Sequence, residues 1–177
     1  MCLILFVHLT LYTCICHNIT RIEVLALLLK SGARLDEPDN NALSRHAMIN
    51  DVQGCRCLIH YGANINPVYA DGGNLLLTLT KECANEEWHP RQIDSLRALL
   101  ELGMDPNLAH AHTGETALML ATSGYSYCPT LVKVLLEHGA DVTQVNNEGK
   151  CVLDTESTSY RELFEQYKEK NRQSLLK

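Results

Sequence analysis

Two histidines flank a single alanine at His110-Ala111-His112, with Asp105 and Glu115 close by in the chain. Imidazole titrates near neutrality and a carboxylate can orient it, so the group has the composition for general acid–base work. Cys14-x-Cys16-His17 and Cys55-x-Cys57-x-x-His60 have the ligand types of zinc half-sites. Both readings are outweighed once the elements that must position these side chains are considered. A structural zinc site takes its cysteines from turns with wider spacing. Positions i and i+2 of a helix point about 200° apart, and Cys55 and Cys57 stand in that relation. The histidines fall in an exposed turn between helical segments. No serine or cysteine nucleophile sits beside a base, and no glycine-rich phosphate loop is present. The sequence therefore supports no catalytic, cofactor-binding or metal-ligating assignment.

Those elements recur. A stop signal is written Leu29-Lys30-Ser31-Gly32-Ala33, Ile59-His60-Tyr61-Gly62-Ala63-Asn64, Leu100-Glu101-Leu102-Gly103-Met104-Asp105 and Leu136-Glu137-His138-Gly139-Ala140-Asp141. Each glycine closes an apolar run of helical spacing, where a terminator needs positive φ. Val24, Leu27 and Leu28 in one copy, and Leu131, Val134 and Leu135 in another, predict the buried stripe. A start signal is clearest at Gly114-x-Thr116-Ala117-Leu118, with Thr116 as N-cap. Weaker copies are Asn41-Ala42-Leu43, Asn74-Leu75-Leu76 and Cys151-Val152-Leu153; asparagine caps as well as threonine, cysteine does not.

With these signals the chain resembles the ankyrin-repeat family, whose unit of about 33 residues is a β-turn and two helices opened by T-P-L-H-x-A. No copy carries the full start: Ala117, Ala42, Leu75 or Val152 stands in place of the proline, and Met119 or Ser44 in place of the histidine. Spacing carries the likeness better than identity. Leu43 to Gly62 is 19 residues, Leu118 to Gly139 is 21 and Leu76 to Gly103 is 27, while Gly62 to Gly72 and Gly139 to Gly149 are both 10. The resemblance implies an all-α ankyrin-repeat solenoid of stacked helix pairs with β-turn tips. Its units are a partial first repeat at 20–35, then 36–67, 68–108 and 109–144, and a C-terminal cap at 145–165 before a charged tail, 166–177. In the cap, Tyr160, Leu163, Phe164 and Tyr167 form the expected apolar face of a last helix. Segment 1–19 reads as a degenerate first helix, a signal-peptide core without a basic flank, or a start with repeats missing upstream.

Composition limits the function class. The formal net charge is −6 over 177 residues, which argues against non-specific nucleic-acid binding. The apolar N-terminal stretch is too short to span a bilayer, so no membrane partner is expected. Eight cysteines lie at 2, 14, 16, 55, 57, 83, 128 and 151. Cys57 takes a core-leucine position in the repeat register and Cys151 the cap position. Scattered substitution of that kind reads as free thiols in a reducing compartment, and the family resemblance implies an intracellular one, the cytoplasm or nucleus.

The third unit is lengthened by an insertion at 81–92, which carries the only tryptophan. Trp88 either anchors an interface or folds back as a lid on the core. A smaller insertion, with Tyr125 and Tyr127, sits at the equivalent bend of the next unit.

The resemblance implies a non-catalytic scaffold or adaptor that binds a protein partner through a face lined by tips and first helices. It needs no cofactor, metal or nucleic acid. On this sequence the tip positions are Glu37, Asp39, Asp71, His112, Thr113, Glu115, Asn147 and Glu148, with Trp88 at the edge. The acidic balance of these positions favours a partner segment with basic and apolar residues. A second implication is a substrate-recruiting or regulatory subunit of a larger complex such as a ubiquitin ligase.

Overall fold

The computed structural model describes residues 20–32, 41–83, 90–123, 128–154 and 160–167. Segment 1–19, Glu37, Asp39, Trp88, Tyr125, Tyr127 and the tail from 168 lie outside these residues. The chain divides into two compact units, residues 1–65 and 66–177.

In the first unit α1 spans Thr20–Lys30, α2 Ala42–Met48 and α3 Val52–His60. Helix α3 packs against both others. Asn41 caps α2, accepting the Ser44 amide at 3.1 Å, and Asp51 caps α3, accepting the Gly54 amide at 2.9 Å. The same Asp51 carboxylate meets His46 Nδ1 at 2.8 Å. Gly54 is buried against this pair, and a Cβ there would run into His46 Nδ1. Two details depart from the sequence reading. The buried face of α1 is Leu25 and Leu29, while Leu27 is 65% exposed. Ile22 to Leu29 is apolar on every side apart from Glu23, so periodicity could not select a face. In α3 the core thiol is Cys55, at 2% exposure, and Cys57 is half-buried.

In the second unit α4 (Leu75–Cys83) and α5 (Pro90–Glu101) form one pair, and α6 (Ala117–Thr122) and α7 (Pro129–Glu137) the next. A 3-10 turn at Val152–Asp154 follows, and residues 160–167 are helical. The first helices make a column, α4 against α6 and α6 against the 3-10 turn, while α5 packs on α4 and α7 on α6. The core is aliphatic: Leu75, Leu76, Leu79, Leu96, Leu99, Leu118, Leu131 and Leu135 are all at most 1% exposed. The expected stripe Leu131, Val134, Leu135 faces inward, and so do Tyr160 and Phe164, whose rings stack at 6.2 Å. Proline begins α5 and stands in the first turn of α7, where its missing N–H costs nothing. Among the described residues strand pairing is limited to one antiparallel bridge, Val68–Asn74. The fold is all-α, helix pairs joined through β-turn tips.

The stop signal has a single physical form. The Gly139 amide donates to Leu136 O at 3.0 Å and the Ala140 amide to Leu135 O at 3.0 Å, with Gly139 at φ +90°. This is the Schellman motif, which needs a left-handed residue followed by an apolar one that returns to the core. Gly62-Ala63 and Gly103-Met104 repeat both bonds, and Ala63, Met104 and Ala140 are all buried. The start signal is equally uniform. Thr116 accepts the Met119 amide at 3.3 Å and buried Asn74 accepts the Leu77 amide at 3.0 Å, as Asn41 does for Ser44. At the last start the bond is reversed: Asp154 accepts the Cys151 amide at 2.8 Å, which supplies the oxygen that cysteine lacks.

Candidate functional site

Three turns project from the second unit: residues 69–73, 110–115 and 146–150. Each closes on its own backbone. The Tyr69 amide donates to Gly73 O at 2.9 Å, His110 to Glu115 O at 2.8 Å and Asn146 to Lys150 O at 2.9 Å. The middle turn is one residue longer than the others. Its extra length is braced by His110, whose Nδ1 accepts the amides of His112 and Thr113, both at 3.3 Å. The turns are also stitched to one another. The Ala111 amide donates to Gly72 O at 2.8 Å, the Asn147 amide to Thr113 O at 3.0 Å, and Asn147 Nδ2 to His112 O at 2.8 Å. Glycine is required at two of these crossings. A Cβ on Gly72 would meet the His112 ring at 2.7 Å, and one on Gly114 the Asn147 backbone at 2.8 Å.

A second ladder runs behind the tips. Asp105 Oδ1 accepts the Asn107 amide at 2.9 Å and Asp141 Oδ1 the Thr143 amide at 2.7 Å, so the stops at Gly103 and Gly139 both end in an Asx turn. Asn66 and Asn107 then reach forward, accepting the amides of Asp105 and Asp141 at 2.9 and 2.7 Å, and Asn107 Nδ2 donates to Gly139 O at 3.1 Å. Asn74 Nδ2 donates to Leu108 O at 3.3 Å. Sequence reasoning singled out neither Asn66 nor Asn107. Their signal was a polar residue two places after each stop: Asn66, Asn107 and Thr143.

The predicted surface residues fall into two groups on this frame. Asn147 and Thr113 work inside the tips: Asn147 as described, and Thr113 by accepting the Glu115 amide at 3.3 Å and donating to Glu115 Oε2 at 3.2 Å. His112 gives its carbonyl to Asn147 and its ring to Gly72, and remains exposed. Asp71 and Glu148 are exposed and Glu115 half-buried. Asp71 holds the Gly73 amide at 2.9 Å. The Glu148 carboxylate pairs with Lys150 Nζ at 2.8 Å; that hydrogen bond holds the Glu148 carboxyl below its ordinary range and raises the Lys150 ammonium.

Glu115 and Glu148 converge on one cleft of about 270 Å³, between the inner helix α6 and the last tip. Met119, Ser123, Cys151, Val152 and Asp154 also line it. Sequence reasoning named Glu115 and Glu148 for this face and passed over Lys150, at the end of the last tip, and Asp154, which the fold brings in from beyond it. Among the described residues no group of three or more His, Cys, Asp or Glu could hold a metal ion. No described helix is long and apolar enough to cross a membrane.

The family model for the ankyrin repeat matches residues 113–147, the span from the middle tip through α6 and α7 to the last tip. The chain belongs to the ankyrin-repeat family. Ankyrin repeats are modules for binding other proteins. Among curated proteins, this ankyrin-repeat chain is similar to ankyrin repeat and SOCS box protein 6 of Pongo abelii and of Homo sapiens. Each is 31% identical over 135 residues, a stretch that takes in 72% of this chain. The same stretch is 30% of the length of each relative.

Proposed function

We propose that this ankyrin-repeat chain is a non-catalytic, intracellular scaffold that holds a protein partner in the groove between its tips and its first helices. One observation carries the reading: the charged side chains of Asp71, Glu115 and Glu148 project from turns whose backbones are tied both within and between repeats. A surface fixed in this way binds with little ordering cost of its own. The three carboxylates and His112 set the partner's character, a segment with basic and apolar residues. Glu37, Asp39 and Trp88 are assigned to the same function from the sequence, and lie outside the described residues.

The test is affinity capture from cell lysate with mass-spectrometric readout. Wild type is compared with Asp71→Asn/Glu115→Gln/Glu148→Gln, which removes three charges and keeps the oxygens that accept turn hydrogen bonds. A partner held by wild type and lost by the variant supports the groove. Retention of the same partner at full yield moves the interface elsewhere, with Trp88 and its insertion first in line.

A second reading, a recruiting or regulatory subunit of a larger complex such as a ubiquitin ligase, is favoured by likeness to relatives named for a SOCS box as well as for ankyrin repeats. Co-purification of a stable multi-subunit assembly, insensitive to the groove variant, would favour it.

A further inference from the structure

The cleft beside the last tip carries more information than the groove as a whole. Three carboxylates line it, Glu115, Glu148 and Asp154, against one ammonium, Lys150. Lys150 is committed to Glu148 at 2.8 Å. Among the described residues neither Glu115 nor Asp154 has an ion-pair partner. Each uses one oxygen locally, Glu115 Oε2 toward Thr113 and Asp154 Oδ2 toward the Cys151 amide. The floor is apolar, formed by Met119 and Val152. A cleft with an apolar floor and three carboxylates against one ammonium, which is bonded to Glu148 and only feels Asp154 at longer range, repels phosphate and nucleic acid. It complements a long side chain with a methylene stem and a cationic head. A planar guanidinium, with donors on several edges, serves two separate carboxylates better than the point charge of an ammonium.

We infer that this cleft takes an arginine side chain from an extended segment of the protein partner. The inference rests on the groove reading above and adds the residue that the groove selects. The guanidinium engages Glu115 and Asp154, and its stem lies along Met119 and Val152. Lys150 opposes the incoming charge and so tunes affinity downward. Cys151, half-buried on the cleft wall, is covered when the arginine is seated.

The probe is a set of short random peptides displayed on phage and selected on the full chain, with binding of the selected peptides then measured by fluorescence polarisation. Peptides rich in arginine are expected. Glu115→Gln/Asp154→Asn, a variant that keeps both local acceptors and melts as wild type does, is expected to weaken them about tenfold or more. Lys150→Ala is expected to tighten them, and replacing the peptide's arginine by lysine to cost more than replacing any neighbour. Bound peptide is expected to shield Cys151 from alkylation in mass-spectrometric mapping. Selected peptides that bind the double variant as tightly as wild type, or leave Cys151 equally reactive, overturn the inference. If Asp71→Asn/His112→Ala weakens those peptides, the groove reading stands and the arginine inference alone has failed. If it does not, or if no peptide is selected, both fail.

Discussion

Thr80 is fully buried, and its hydroxyl finds no hydrogen-bond partner among the described residues. A buried hydroxyl left unpaired has given up water for nothing, so Thr80→Val is expected to stabilise the chain by about 1 kcal/mol. Chemical denaturation would show the midpoint rising; a falling midpoint would mean the hydroxyl is satisfied. Cys55 is the other residue whose environment sets its chemistry. Burial, reinforced by the Asp51 carboxylate, pushes its thiol from the ordinary value of 9.0 up to about 12. The folded chain therefore keeps a proton that the unfolded chain releases. The stability this contributes is complete below pH 9.0 and is lost as pH rises through 9.0 toward about 12. Cys55→Ala is expected to flatten the alkaline fall in melting temperature. At neutral pH iodoacetamide is expected to label half-buried Cys151 well before Cys55.

At the scale of the element, starts and stops are chemical devices that can be removed one at a time. Gly139→Ala forces a Cβ into φ +90° and is expected to cost about 1–2 kcal/mol. Leu135→Ala, behind the same stop, is expected to cost about 2–5 kcal/mol by opening a cavity between packed helices. A loss under about 1 kcal/mol at Leu135 would mean the register is wrong. These elements were legible in the sequence because the devices are local: a glycine, an apolar residue and a capping oxygen at fixed spacing. What the sequence withheld was non-local. The buried face of α1 was hidden because that helix is apolar on nearly every side, and packing chose Leu25 and Leu29. The forward reach of Asn66 and Asn107 spans 39 and 34 residues, and no window of one repeat contains both ends.

At the scale of the whole molecule the formal charge of −6 adds a field to the local groove. Binding of a basic segment is expected to weaken steeply with salt, because the screening length falls from ~8 Å at 0.15 M to ~3 Å at 1 M. Titration of a selected arginine peptide at rising NaCl reads this directly; a flat response would assign affinity to apolar contact instead. The candidate site was legible at this scale only as a list of tip positions. Folding sorted that list. Asn147 and Thr113 became struts, Glu115 and Glu148 met in one cleft, and Asp154 joined them from the next turn, where no repeat pattern marked it.

The contact between Gly54 and the His46–Asp51 pair bears on the order in which this chain can accept change. While the pair stands, a methyl group at position 54 collides with the imidazole, so Gly54→Ala is harmful as a first step. Once His46 is replaced by alanine only the Asp51 carboxylate, 2.5 Å from that Cβ, stands in the way, and where it swings aside the same substitution gains the roughly 1 kcal/mol by which alanine exceeds glycine inside a helix. A substitution whose sign depends on its predecessor makes one route passable and its reverse closed. Stability measured around the four corners of that cycle would show whether the history of this hairpin has a direction.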